Sequence, residues 1–178
     1  MHFHKNTIAQ LILDDPYRLE LLKSVAALRL PDWYIAAGFV RNLVWDHLHN
    51  FVATPLNDVD VIYFDKTNRF KDVEVCKALV SSQPGINWQA KNQANIHSSN
   101  GYLPYRDSEH AMTFWPEKET AIAVRFTSNG QITVTAPFGT KSLFEGKITH
   151  NPIRDKSIFL RRIESKQWLQ HWPKLVIA

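Results

Sequence analysis

The sequence predicts an α+β fold: a mixed β-sheet flanked by helices. Three observations predict it. Helix-period and strand-period segments are interspersed without strict βαβ alternation. AIAVRFTSNGQITVTAPF (121–138) reads as two alternating strands about Asn129-Gly130, a hairpin signal. DKSIFLRRIESKQWLQHW (155–172) reads as a C-terminal helix.

The elements follow in order. His2 and His4 read as part of a mobile terminus, with no structural metal expected there. Asp15-Pro16 is an N-cap followed by proline at the first helical position. YRLELLKSVAALRL (17–30) then carries its apolar residues at helical spacing, and Pro31 and Asp32 end it. WYIAAG (33–38) is a short buried strand ending at a glycine. FVRNLVWDHLH (39–49) is a helix with Val40, Leu43, Val44 and Leu48 along one side. A polar loop (50–57) leads into the strand DVDVIYF (58–64). KDVEVCKALVSSQPG (71–85) is a helix closed by Pro84-Gly85. INWQAKNQANIH (86–97) starts as a strand and turns irregular, and a loop follows over 98–107. DSEHAMTFW (107–115) is a short helix with an Asp/Ser cap. Asp155 caps the last helix and Pro173 ends it.

A chain of 178 residues suits one domain over 1–178. Hydrophobic residues at 44% are enough for a core, and 21% charged residues do not signal disorder. The apolar runs are too short to cross a bilayer, and the N-terminus lacks the long apolar stretch of a signal peptide. A soluble cytoplasmic protein without membrane contact is expected. The single cysteine, Cys76, allows no internal disulfide and no cysteine-built zinc site. An inert thiol on a helix face is its simplest reading. A net charge of +4 suits an anionic substrate but is too small to argue for nucleic-acid binding. Neither a P-loop nor a G-x-G-x-x-G, G-x-S-x-G or H-E-x-x-H motif is present.

The chemical signal lies in NDVDVIYFD (57–65). Asp58 and Asp60 stand two apart on a strand, so they point to one face. One reading is a wet acidic strand. The other is a site for Mg²⁺, with Mn²⁺ as substitute: a hard cation that takes one or two carboxylates and completes its shell with water and phosphate oxygens. Two features favour the second. The same face continues as Ile62 and Phe64, which makes this a core strand with acids at its mouth. Upstream, a strand ends at Gly38 and a helix begins. Glycine permits close approach or an unusual turn, and a helix start directs unpaired N–H groups at an anion such as a triphosphate.

GFVRNLVWD followed by NDVDVIYFD resembles the signature of the DNA polymerase β superfamily of nucleotidyltransferases. That signature is a hydrophobic residue, Gly-Gly or Gly-Ser, a helix, then acid-x-acid on a strand. Ala37-Gly38-Phe39-Val40-Arg41-Asn42 is similar to the G-G-x-V-R-D of its CCA-adding and poly(A) polymerase branch, with a single glycine and with Phe39 read as standing where the second Gly or Ser belongs. The chain is closer still to a family of small bacterial proteins of this nucleotidyltransferase-like fold. Trp88, Lys91, Asn92, Gln93 and Ala94 match its W-x-x-K-N-Q-A segment; Thr120–Arg125 match its T-A-x-A-V-R strand, and Ala136–Gly139 its A-P-[YF]-G turn.

The resemblance implies Mg²⁺-dependent transfer of a nucleoside monophosphate from an NTP to an acceptor hydroxyl on a small molecule, an RNA or a protein. Asp58 and Asp60 would be catalytic metal ligands, and Gly38, Phe39, Arg41, Asn42, Lys91 and Asn92 would serve the nucleotide. It also implies a third carboxylate on a neighbouring strand, for which Glu119 is the best-placed candidate; a solvated strand-end charge is its other reading. Without that third acid, the alternative is a nucleotide-binding or regulatory module that does not catalyse. Other residues keep two readings. Arg41 either reaches phosphate or anchors its helix to a carboxylate, and Asn42 caps or bridges within that turn. Lys91 and Asn92 either contact nucleotide or satisfy their own loop. Arg161-Arg162 is a basic patch or a solvated helix face.

Overall fold

A five-stranded sheet carries helices on one face and a second, smaller apolar cluster on the other. The structure, a computed structural model, describes residues 2–178; the side chains of His2 and Asn100 lie outside the description, as does the reading of His2 as a non-ligand. In chain order the elements are α1 (His2–Leu13), α2 (Pro16–Ala27), β1 (Tyr34–Ala36), α3 (Gly38–His49), β2 (Val59–Tyr63), α4 (Asp72–Ser82) and β3 (Trp88–Asn92). Then come α5 (Ser108–Met112), β4 (Ala123–Phe126), β5 (Ile132–Thr135), α6 (Lys141–Phe144), β6 (Lys147–Ile148), α7 (Lys156–Lys166), α8 (Trp168–His171) and β7 (Val176–Ile177).

The strand order is β3-β2-β1-β4-β5. β2 and β3 run parallel and the other neighbours antiparallel, which makes the sheet mixed as expected. Alternation sorts its two faces. Ile35, Val61 and Val124 enter the main core with Ile8 and Ile12 of α1, Leu21 and Leu22 of α2, Val40 and Val44 of α3 and Leu79 of α4. Tyr34, Ala36, Ile62 and Ala123 face the other way, against Met112 of α5. Asp60 sits on this second face, because its cross-strand partner is Ala36.

Sequence and structure differ in three places. The N-terminal stretch is helical: Ile8 and Ile12 are fully buried, and their four-residue spacing gives α1 a face for the sheet. The C-terminal helix is two helices. Gln167 takes left-handed backbone (φ 50°, ψ 35°), closes α7 and redirects the chain into α8. The hairpin turn has three residues: Thr127 N–H bonds Gln131 O at 2.9 Å around Ser128-Asn129-Gly130, with Gly130 at φ 78°. No helix among the described residues is long and apolar enough to cross a membrane.

Candidate active site

The β1–α3 junction sets the geometry. Ala37 adopts φ 56°, ψ −123°, donates its N–H to Ile122 O at 2.9 Å and accepts the amides of Val40 and Arg41. The unusual turn expected at Gly38 therefore falls on Ala37, and Gly38 itself does not take positive φ. The glycine missing from the Gly-Gly pattern is the first of the pair, at Ala37, and not the residue at Phe39. Gly38 begins α3, and a Cβ built there meets Asn42 Nδ2 at 3.5 Å and Arg41 Nη2 at 3.7 Å, ordinary contact distances. Its missing side chain keeps open the approach to the helix start, where the first amides lack intrahelical acceptors.

That helix start opens on a cleft of ≈ 300 Å³ lined by Gly38, Arg41, Asn42, Asp58 and Asp60 among others. Asp58 lies just before β2 and Asp60 within it, both half-buried. Burial, and then the charge of Asp58, push the Asp60 carboxyl up to about 6. The two carboxylates thus strain against each other at one end of the cleft. The donor set is all oxygen, which suits a hard divalent cation. No group of three or more His, Cys, Asp or Glu converges among the described residues. Two carboxylates would fit one such cation, with water and phosphate left to complete its shell.

Arg41 is 6% exposed, and among the described residues it makes no carboxylate bond. Its Nη1 donates to Thr120 Oγ1 at 2.6 Å, and Nε and Nη2 donate to Asn42 Oδ1 at 3.2 and 2.9 Å. The guanidinium lies 4.7 Å from the ring centre of Trp45 and 4.4 Å from that of Trp168, so two indoles clamp it. Burial lowers its pKa to about 10, which leaves it cationic at neutral pH. Asn42 bridges within the helix turn by orienting Arg41.

The other expected residues are elsewhere. The Phe39 side chain is in the core at 1% exposure, and only its backbone belongs to the helix start. Asn92 lines neither this cleft nor its neighbour. Its amide is consumed by Asp65 N (2.9 Å), Asp65 O (2.7 Å) and Ala94 N (3.1 Å), so it buckles the end of β3 onto the turn after β2. Lys91 lines an adjoining cavity, 3.6 Å from Asp72. Glu119 is buried, not a solvated strand end, and its Oε2 accepts Thr149 N–H at 2.7 Å away from the cleft. The β3 residue opposite Asp60 is Gln89.

Sequence reasoning missed the far wall, which Arg162, Lys166, Trp168 and His171 supply. Arg161 is exposed, while the partly exposed Arg162 chelates the buried Glu117 through Nε (2.6 Å) and Nη2 (3.3 Å). The Arg161-Arg162 pair was visible, but an unbroken helix hid the turn at Gln167 that brings Trp168 over Arg41.

A family model described as nucleotidyltransferase matches residues 23–177. The chain belongs to this nucleotidyltransferase family. Among solved structures, this nucleotidyltransferase is similar to a protein whose NMR structure reveals a CCA-adding enzyme head domain: TM-score 0.85, 25% identity, covering 98% of this chain and 95% of that one. A CCA-adding enzyme in complex with CTP matches at TM-score 0.63 and 16% identity, over 96% of this chain and 43% of that one. The Thermotoga maritima CCA-adding enzyme complexed with tRNA matches at TM-score 0.61 and 16% identity, over 96% and 42%. The chain thus spans less than half the length of those two enzymes, and at that identity they share its fold alone. No curated protein matches the sequence.

Proposed function

We propose that this nucleotidyltransferase moves a nucleoside monophosphate from an NTP to an acceptor hydroxyl, with Mg²⁺ held by Asp58 and Asp60. One observation carries the reading: the paired carboxylates, the α3 start at Gly38 and the clamped Arg41 share one cleft. CCA-adding enzymes of this fold have been solved with CTP and with ATP, which supports an NTP as the donor here.

The triphosphate lies against the amides of Gly38 and Phe39, where the helix dipole favours negative charge. Arg41, with its orientation fixed by Asn42, Thr120 and two indoles, adds a cation that needs no reordering when phosphate arrives. Lys166 and His171 border the opening from the far wall. When bound, the cation neutralises charge on the phosphoryl oxygens. The acceptor oxygen bonds to the α-phosphorus, the bond to the bridging β-phosphate oxygen breaks, pyrophosphate leaves with that electron pair, and the hydroxyl proton passes to water.

Incubation of the protein with α-³²P-labelled NTPs, Mg²⁺ and a cell extract is expected to label an acceptor. Asp58→Asn and Asp60→Asn should each abolish labelling while circular dichroism stays unchanged, and labelling that persists in both variants would overturn the assignment. A second reading, an NTP-binding module without transfer, draws on Gln89 standing opposite Asp60 where a third acid would complete the set. It predicts calorimetric NTP binding in Mg²⁺ with no label transferred.

A further inference from the structure

A second cavity of ≈ 390 Å³ adjoins the cleft, and Ala37, Asp60, Thr120 and Arg162 line both. Its floor is the second face of the sheet. β2 and β3 run parallel in the register Asp60↔Gln89, Ile62↔Lys91. Asp60 therefore marks the end shared with the cleft, and about 7 Å along the strands the next row on this face sets Ile62 and Lys91 side by side. Tyr105, Phe114 and Trp115 line the cavity from the segment around α5, and Ile158 from α7. The size, and a lining that mixes aromatic and aliphatic side chains with polar groups, suit a small polar molecule with an apolar body.

Asp60 and Lys91 belong to successive rows of this floor. Arg162, at the shared end, is neutralised by Glu117. Among the described residues Lys91 makes one ion pair, at 3.6 Å to Asp72 outside this cavity, and the exposure of the lysine makes that contact weak enough to yield to a better partner. Arg154 also lines the cavity. An RNA end would need cations spaced along successive phosphates, whereas this floor sets a carboxylate in one row and an isoleucine beside a single ammonium in the next.

The geometry points to this cavity as the acceptor site, and to its occupant as a small aromatic anion bearing a hydroxyl. The inference rests on the transfer reading above. The hydroxyl sits at Asp60 facing the cleft, the ring lies over Ile62 among the aromatic side chains, and the anionic group extends to Lys91. A para-substituted ring spans that separation. Transfer to the hydroxyl has the balance already written, with pyrophosphate leaving on the cleft side.

The probe is 4-hydroxyphenylacetate, with neutral 4-hydroxyphenylacetamide and the dinucleotide ApA as comparisons. Each is titrated calorimetrically into the full chain in Mg²⁺, alongside ATP. 4-Hydroxyphenylacetate is expected to bind at least fivefold tighter than the amide. Lys91→Ala should erase that difference without weakening the amide. Ile158→Trp, which fills the cavity, should weaken both at least tenfold and leave the ATP Kd within twofold. Should the tryptophan variant not fold, Lys91→Ala decides alone. Equal binding of acid and amide to the unmodified chain, or unchanged binding to Ile158→Trp, overturns the inference. So does tight ApA binding that Ile158→Trp abolishes, which would make the cavity a nucleic-acid site. If ATP binds and 4-hydroxyphenylacetate does not, the acceptor assignment alone fails. If 4-hydroxyphenylacetate binds and ATP does not, the transfer reading fails and the cavity remains a ligand site.

Discussion

Ala37 holds a backbone conformation that glycine adopts freely and alanine does not (φ 56°, ψ −123°). Such strain costs about 1–3 kcal/mol, while glycine adds about 0.5–1 kcal/mol of unfolded-state entropy. Ala37→Gly should therefore stabilise the protein by about 1 kcal/mol, read as a rise of roughly 2–4 °C in thermal midpoint; a fall would show that the alanine methyl packs to better effect than the strain costs. Asp65 shows the opposite case of a satisfied acid. The Thr67 hydroxyl, and then the amides of Phe70 and Thr67, hold its carboxyl below the ordinary range. With a folded pKa below the unfolded value of about 3.9, the folded state binds fewer protons across that interval, so stability rises with pH there. Asp65→Asn should be less stable than the parent at neutral pH, and the difference should close as pH falls below about 4, as followed by urea unfolding at stepped pH. The sequence places Asp65 at the end of NDVDVIYFD, just past the strand and where the chain turns. It could not show that Asn92 closes the same turn, since an amide that satisfies backbone and one that waits for a nucleotide have identical composition.

Among the elements, α3 does most to build the cleft. Its first turn presents Gly38 and Arg41, and its buried Asp46 fixes two walls. Asp46 Oδ1 accepts Trp172 Nε1 at 2.8 Å beyond α8, and Oδ2 accepts the Thr54 amide (2.8 Å) and hydroxyl (3.0 Å) in the loop before β2. Asp46→Ala leaves these donors without their acceptor at a cost of about 2–3 kcal/mol. It should also weaken NTP binding severalfold in calorimetry, because the Trp168–Trp172 wall and the loop leading to Asp58 lose their tie. Unchanged affinity would separate the walls from the site. The α3 helix and the β2 strand were legible from hydrophobic spacing. The wall opposite was not: Gln167 is an ordinary helix former by composition, and only packing of Trp168 on Arg41 and Trp45 explains the left-handed turn there. α1 escaped for a related reason, since its helical face becomes apparent only once a sheet is there to receive it.

Across the whole molecule, the sheet divides labour between its faces. One is sealed by α1 to α4 and supplies the bulk of the core; the other is partly open and carries Asp60, the smaller cluster and the cavity lined by Ile62. The α+β class, the mixed sheet and the hairpin were legible because their signals are local. The two-chamber site was not, because its residues come from segments as distant as Ala37, Trp115 and Arg162, and only the sheet register brings them together. The indole clamp on Arg41 has a practical corollary. Trp45 and Trp168 touch a cation, Arg41, that lines the cleft, and Trp172 packs on Trp45 at 5.1 Å. Occupancy should therefore quench or shift their intrinsic emission, so the protein carries its own optical gauge of phosphate arrival: an NTP titration watched by fluorescence, with Trp168→Phe losing most of the signal.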